Sequence, residues 1–309
     1  MVFSMFWCCF ANGCWLRDSH RVCSRTPGWR TMPVMTRRSA ILGSGLAVAA
    51  ARAGQAAPKG RLKQSAARWC YAKIPLDDLC RQAADIGLSG IDLVEPADWP
   101  TIRKYGLVPT ITQGQAKIPD GWNRKESHDR LETEIRDRIA RAAGAKVPNV
   151  ITFSGNRKGQ PDEEGRANCI LGLRRVKKYA EESGVTVCLE LLNSRINHPD
   201  YQCDHTAWGV DVIKGVDSPR VKLLYDIYHM QIMEGDVIHT IRDNIQYIGQ
   251  FHTGGVPGRH ELDDTQELNW RTIAQAIADL KFDGFVAHEF VPTRDPMTSL
   301  REAVETCTV

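Results

Sequence analysis

The chain lacks the features that mark several function classes. Its ten cysteines form no CxxC pair: Cys8, Cys9, Cys14 and Cys23 crowd the start, and Cys70, Cys80, Cys169, Cys188, Cys203 and Cys307 are far apart. A zinc ribbon or thioredoxin-type site is therefore not expected. Isolated thiols are expected instead, with Cys70 and Cys188 buried inside strands as small hydrophobes. No GxGxxG follows the first apolar run and no P-loop lysine motif occurs, which removes the common nucleotide-binding readings. No stretch approaches the roughly 18 consecutive apolar residues that a membrane span needs.

A large net charge is missing too. The formal charge is +3, but residues 1–57 hold seven arginines, no lysine and one acid, Asp18. That leaves 33 Lys and Arg against 36 Asp and Glu beyond them. A domain with mixed, nearly balanced charge offers no electrostatic case for nucleic-acid binding.

The basic start reads as an address. From Met35 the sequence runs MTRRSAILGSGLAVAAARAGQAAPKG, with two arginines, a short Ala/Gly-rich apolar run over 40–51 and small residues at Ala51, Ala53, Ala56 and Ala57. That is the pattern of a cleaved secretory signal. Thr36-Arg37-Arg38 looks like a twin-arginine signal, so an exported, periplasmic protein is expected. Residues 1–34 show no periodicity, and Met35 is the expected true start. The division is therefore a leader over 1–57 and one folded domain over 58–309.

Within that domain short apolar runs alternate with segments of helical period. Strands are expected at 67–71, 90–94, 108–112, 149–153, 186–190, 221–225, 247–252 and 284–289. Helices are expected near 75–86, 98–105, 126–143, 164–183, 205–215, 234–243, 267–280 and 296–306. Gly87, Gly106, Gly144, Gly184 and Gly284 stand at the helix-to-strand returns, where a left-handed cap favours glycine. Pro75 and Pro296 suit first helical turns. Eight such units in about 240 residues fit a single (β/α)₈ TIM barrel of the α/β class.

The chemistry stands at the strand ends. TVCLE closes on Glu190, VKLLYD on Asp226, YIGQFH on His252 and FVAHE on Glu289. A charge after an apolar strand is costly unless it has a partner, and in a barrel these ends share one mouth. Three oxygen donors and one imidazole suit one divalent cation, Mn²⁺ or Mg²⁺, with positions left for a chelating substrate. Moving a proton between adjacent carbons of a hydroxy-carbonyl compound needs a base, an acid and a counter-charge for the enediolate. The cation would supply the counter-charge, and two flanking carboxylates the base and acid.

The segments CLELLNSR, LLYDIYHMQ, IGQFHTGGVPGRHE and GFVAHEF resemble those of the hydroxypyruvate isomerase family, among the xylose-isomerase-like barrels. The resemblance extends through GIDLVEPADWP and FSGNR to cover about residues 66–306. It implies Glu190, Asp226, His252 and Glu289 as metal ligands, with Glu190 and Glu289 also exchanging substrate protons. It further implies His229 and Arg259 as substrate-binding residues. Departures fall in the substrate pocket: Leu191-Leu192 replace a usual proline context, Thr253-Gly254-Gly255 a more acidic stretch, and PGRHE continues as LDD.

Weaker candidates are Glu95, read as a substrate contact or a cap, and His198, read as a lid residue. Asn156 and Arg157 are read as solvated loop residues, and His260 and His288 as supporting or structural. The expected partner is a small hydroxy-carbonyl or sugar substrate, with a homo-oligomer left open. Three alternatives stay open: a ketose 3-epimerase on the same site, a DNA-repair barrel like endonuclease IV, and a non-catalytic sugar-binding barrel. The second wants a multi-zinc cluster and a basic face that this sequence lacks, and the third has no use for a pair of proton-transfer carboxylates.

Overall fold

The computed structural model describes residues 60–115 and 117–309. The leader, the twin-arginine motif and the proposed start at Met35 lie outside the described residues.

Nine short parallel strands make one sheet: β1 Lys63–Ala67, β2 Gly90–Asp92, β3 Val108–Pro109, β4 Ile111–Gln113, β5 Asn149–Thr152, β6 Thr186–Glu190, β7 Val221–Asp226, β8 Ile248–Thr253 and β9 Phe285–His288. Their order is β3-β2-β1-β9-β8-β7-β6-β5-β4. The two sheet edges, β3 and β4, are halves of one run broken at Thr110, so the sheet curls into a nearly closed TIM barrel. Across the break Thr110 N–H donates to Ile91 O at 2.9 Å, and Val94 N–H donates to Ile111 O at 3.2 Å.

The helices are α1 Leu76–Ile86, α2 Trp99–Lys104, α3 His128–Gly144, α4 Asp162–Ser183, α5 Thr206–Val216, α6 Ile227–Met233, α7 Val237–Asn244, α8 Trp270–Asp279 and α9 Pro296–Cys307. Each lays an apolar stripe on the sheet; in α3 it is Leu131, Ile135, Ile139 and Ala142, spaced three or four apart and fully buried. That spacing puts them on one face of the helix. The strands are buried on both faces, as β6 shows from Thr186 to Glu190, which is why they read as unbroken apolar runs.

Besides the expected strand over 108–112, which Thr110 splits into β3 and β4, two elements differ from the sequence reading. The first strand is Lys63–Ala67, and the expected strand over 67–71 is instead a 3-10 turn, Arg68–Tyr71. The polar Gln64 and Ser65 disguise the true strand, yet both are buried in the barrel. Cys70 consequently sits half-buried in the turn, whereas Cys188 is in β6 as expected. Helix α6 was not anticipated, because its residues IYHMQIM continue the apolar run of β7. Asp226 switches the chain from strand to helix: its side chain accepts from His229 N–H at 3.2 Å as an N-cap.

The caps divide similarly. Gly87 and Gly184 take the left-handed conformation at the ends of α1 and α4. Gly144 and Gly284 do not; near those returns the positive φ falls on Lys146 (55°) and Lys281 (56°).

Candidate metal and active site

Glu190 and Asp226 are the last residues of β6 and β7, His252 lies in β8, and Glu289 follows β9. Parallel register sets Asp226 beside His252 and His252 beside Ala287, so neighbouring strands present their ends together. All four side chains are buried, and one donor atom from each lies within 4.8 Å of every other. The four strand ends therefore bring their side chains to one point.

The histidine is oriented from behind. His252 Nε2 is 3.1 Å from Asp92 Oδ1. Asp92 Oδ2 accepts from Thr110 Oγ1 at 2.7 Å and from the Gln250 amide, whose own oxygen accepts from Asn149 at 2.6 Å. This chain holds a proton on Nε2 and turns Nδ1 toward the three carboxylates. Nδ1 is buried and has no hydrogen-bond partner, although it touches Glu289 and lies 3.6 Å from Glu190 Oε1. An unpartnered imidazole nitrogen facing three carboxylates is a donor set that fits a divalent cation.

Among the described residues, Arg259 supplies the one fixed positive charge there. Its Nη2 lies 2.6 Å from both Asp226 Oδ2 and Glu289 Oε2, its Nη1 2.7 Å from His229 Nε2, and its Nε donates to Glu289 O at 2.9 Å. Its backbone is left-handed (φ 59°), an uncommon posture for arginine that aims the guanidinium into the site.

These neighbours split the carboxylates. Burial pushes Glu190 up to about 7. Burial also raises Asp226, with Arg259 opposing. Glu289 is buried as well, but the charges of Arg259 and His252 outweigh burial and hold it well below the usual carboxylate range. For His252, burial opposes the imidazolium, and Glu289 and Asp92 overcome it to raise the group well above its ordinary value. Two acids whose surroundings push their proton affinities apart, Glu190 up and Glu289 down, are equipped to give and take a proton.

A cavity of about 390 Å³ opens over the group, bordered by Trp69, Glu190, His198, His229, Arg259 and Glu289. His229 Nδ1 lies 2.6 Å from the Asn193 amide nitrogen, and Asn193 Oδ1 accepts from Ile196 and Asn197 N–H. That fixes the amide with its N–H facing His229 Nδ1, while the Arg259 guanidinium faces Nε2 at the cavity wall. Burial lowers His229 and His198, keeping both neutral. Their rings meet edge-on at 5.3 Å.

Not every sequence candidate comes here. Glu95 lies beyond the end of β2, pairs with Arg138 at 2.7 Å and borders a neighbouring cavity rather than this one. Arg157 is not simply solvated: Asp162 (2.8 Å) and Asp204 (2.9 Å) clamp it as part of the loop scaffold. Asn156 donates to Pro199 O. His260 meets Val291 O at the surface. His288 is buried between Gln64 and Thr253, and burial pulls it down to about 3, so it is a neutral structural residue.

Sequence reasoning missed Asp92, Asn193 and Trp69. Asp92 carried the same signal as the ligands, a charge in an apolar strand. Trp69 gave none, and its Nε1 donates to Glu289 Oε1 at 2.5 Å.

The model of the xylose isomerase-like TIM barrel family matches residues 80–308. The chain belongs to that family. Within it, the human putative hydroxypyruvate isomerase is 28% identical over 237 residues, covering 75% of this chain and 80% of that one. The zebrafish (Danio rerio) putative hydroxypyruvate isomerase is 32% identical over 120 residues, covering 39% of this chain and 44% of that one. Among solved structures, D-psicose 3-epimerase with D-tagatose from Clostridium cellulolyticum H10 superposes with a TM-score of 0.64 at 20% identity. It covers 80% of this chain and 98% of that one, a likeness of fold.

Proposed function

We propose that this barrel is a metal-dependent isomerase that interconverts a small hydroxy-aldehyde and hydroxy-ketone pair, in the manner of a hydroxypyruvate isomerase. That it is an isomerase is supported by relatives bearing that name. The observation that carries the finer reading is the convergence of Glu190, Asp226, His252 and Glu289 on one point, with His252 Nδ1 unpartnered.

Those four residues would hold one divalent cation, Mn²⁺ or Mg²⁺. When bound, the cation supplies a Lewis-acid counter-charge for the substrate's two neighbouring oxygens. The chain's own groups do the rest. Glu289, held ionised, takes the proton from the hydroxyl-bearing carbon, Glu190 returns one to the adjacent carbon, and the hydroxyl proton passes to the former carbonyl oxygen, so that the two oxygens exchange roles. With Arg259 turned to the substrate, His229 Nε2 is released from the guanidinium and, held by Asn193 at Nδ1, donates to a substrate oxygen. Arg259 exchanges its carboxylate partners for the substrate's acidic end, a bidentate contact suited to guanidinium. Trp69 fixes the Glu289 carboxylate through Oε1, so that Oε2 turns to metal or substrate once Arg259 lets it go.

A second reading, a ketose 3-epimerase on the same groups, is favoured by the further cavity that adjoins the site. We also propose, from Arg37-Arg38 and the small residues after them, that the protein is exported to the periplasm.

The test is deuterium uptake beside the carbonyl, followed by NMR in Mn²⁺-loaded protein with hydroxypyruvate and with free ketoses. Asp226→Ala is expected to lose both metal and uptake. Stoichiometric metal in that variant would place the site elsewhere.

A further inference from the structure

The cavity over the metal group has two unlike sides. One carries the carboxylates, the histidines and Arg259 already described. The other is built by Leu93 just after β2, Ile118 in the loop after β4, Ile151 and Phe153 at the end of β5, and Leu192 just after β6. Ile151 and Phe153 are two residues apart along an extended strand end, so they face the same way. Ile151, Phe153 and Leu192 are buried, and Leu93 and Ile118 are half-buried against the barrel core. Among the described residues, Gln113 is the one polar side chain that lines the cavity on that side.

Leu93 is held on this wall in an unusual posture. Its φ is 52°, in the left-handed region that a bulky side chain rarely adopts. Such postures persist where the surrounding structure enforces them, often beside a ligand. The cavity's volume of about 390 Å³ lies within the roughly 300–1,000 Å³ that drug-sized ligands fill. A three-carbon acid held at the polar side would therefore leave the apolar side facing water. Hydroxyl groups laid against that side would lose water and find few partners, whereas hydrocarbon gains by leaving water there. On the polar side the Arg259 guanidinium selects an anionic end.

We infer that these five side chains form an apolar subsite for the substrate's tail, with Leu93 and Ile118 as its specificity residues. The substrate is then a hydroxy-oxo acid that bears an alkyl or aryl group on its hydroxyl-bearing carbon. This deepens the proposed isomerase reading and rests on it for the reacting carbons; the subsite is a binding claim, tested without turnover. The reaction is the same proton shift. The C–H bond of the hydroxyl-bearing carbon breaks, a C–H bond forms at the neighbouring carbonyl carbon, and the hydroxyl proton passes to the former carbonyl oxygen. No co-reactant is consumed.

The experiment is calorimetric titration of the Mn²⁺-loaded full chain with three non-reacting acids. They are glycerate, glycerate carrying a propyl group on its terminal carbon, and gluconate, which matches the second in length but has hydroxyls along its tail. Each apolar carbon that leaves water is worth about fourfold in affinity. The propyl compound should therefore bind about tenfold or more tighter than glycerate, and gluconate no tighter than glycerate. Asparagine is close to leucine in size and tolerates the left-handed backbone, so Leu93→Asn keeps the fold while making the wall polar. Leu93→Asn and Ile118→Thr should each lower the ratio of propyl-compound to glycerate affinity by about fourfold, a change that a general loss of stability would not produce. Equal affinity for glycerate and the propyl compound, a ratio untouched in both variants, or gluconate binding as tightly as the propyl compound would overturn the subsite. If hydroxypyruvate exchanges deuterium while the propyl gain is absent, the subsite fails and the isomerase reading stands. If the propyl gain is present and lost in the variants, but no hydroxy-oxo acid exchanges deuterium, the isomerase reading fails and the subsite stands.

Discussion

At the scale of single residues, the site was legible wherever an expensive group stood at the end of an apolar run. Glu190, Asp226, His252 and Glu289 could be found because a charge costs energy in such a place unless something repays it. Asp92 obeys the same rule and was passed over for Glu95, because GIDLV reads as one long apolar strand. The strand in fact stops at Asp92, so the inward-facing acid is that one and Glu95 reaches an outer wall. Trp69 was illegible because its role arises from the turn that follows β1, which sequence period does not show. Asp92 supplies a sharp prediction. In Asp92→Asn an amide replaces an acceptor that faces His252, Thr110 and Gln250, so His252 loses its fixed tautomer. Mn²⁺ affinity should fall by roughly 10- to 100-fold, the usual cost of losing such a supporting carboxylate. Calorimetry at constant pH checks it, and unchanged affinity would show that the Asp92 contact does not orient the ligand.

At the scale of elements, helices were legible from their stripes and strands from their apolar runs, while junctions were not. Asp226 ends β7 and caps α6 at once, and a run apolar across both elements hides the change of period. The return after α3 is another junction. It carries a positive φ at exposed Lys146, where glycine has no Cβ penalty. Lys146→Gly should leave thermal unfolding unchanged or stabilise by up to about 1 kcal/mol, and a clear loss would mean the Lys146 side chain contributes contacts.

The loop that delivers Arg259 is held by Glu261, which accepts from Thr293, Arg294 and Ser299. Burial opposes its ionisation, but the hydrogen bonds from Thr293 and Ser299 outweigh burial and hold the carboxyl down at about 2. Its folded value lies below its unfolded one, so the unfolded chain binds more protons between them and stability rises with pH there. The contribution is complete above about 4.5 and is lost as pH falls toward 2. Denaturant titrations at pH 6 and pH 3 should show wild type losing about 2 kcal/mol more than Glu261→Gln. Parallel losses would remove Glu261 from the account.

At the scale of the whole molecule, the eight strand–helix repeats made an α/β fold readable, and the lack of a GxGxxG after the first apolar run favoured the barrel over a doubly wound sheet, which shares that rhythm. The break at Thr110 was not readable, since it depends on how the chain on either side of it meets β2. The leader remains a sequence-level proposal with its own test: N-terminal sequencing of protein from the periplasm should find a start between about residues 54 and 59, and full-length protein confined to the cytoplasm would refute it.

The central claim is that one cation is held by four strand-end groups and that two of them also move the proton. Glu289→Gln separates the two duties, because the amide keeps an oxygen for the metal and loses the basic carboxylate. The decisive measurement is deuterium exchange at saturating Mn²⁺ with bound metal counted in the same sample. One Mn²⁺ per chain with exchange slowed by roughly 10²–10⁴ is the expected result. A fully metallated Glu289→Gln protein exchanging at close to the wild-type rate would contradict it.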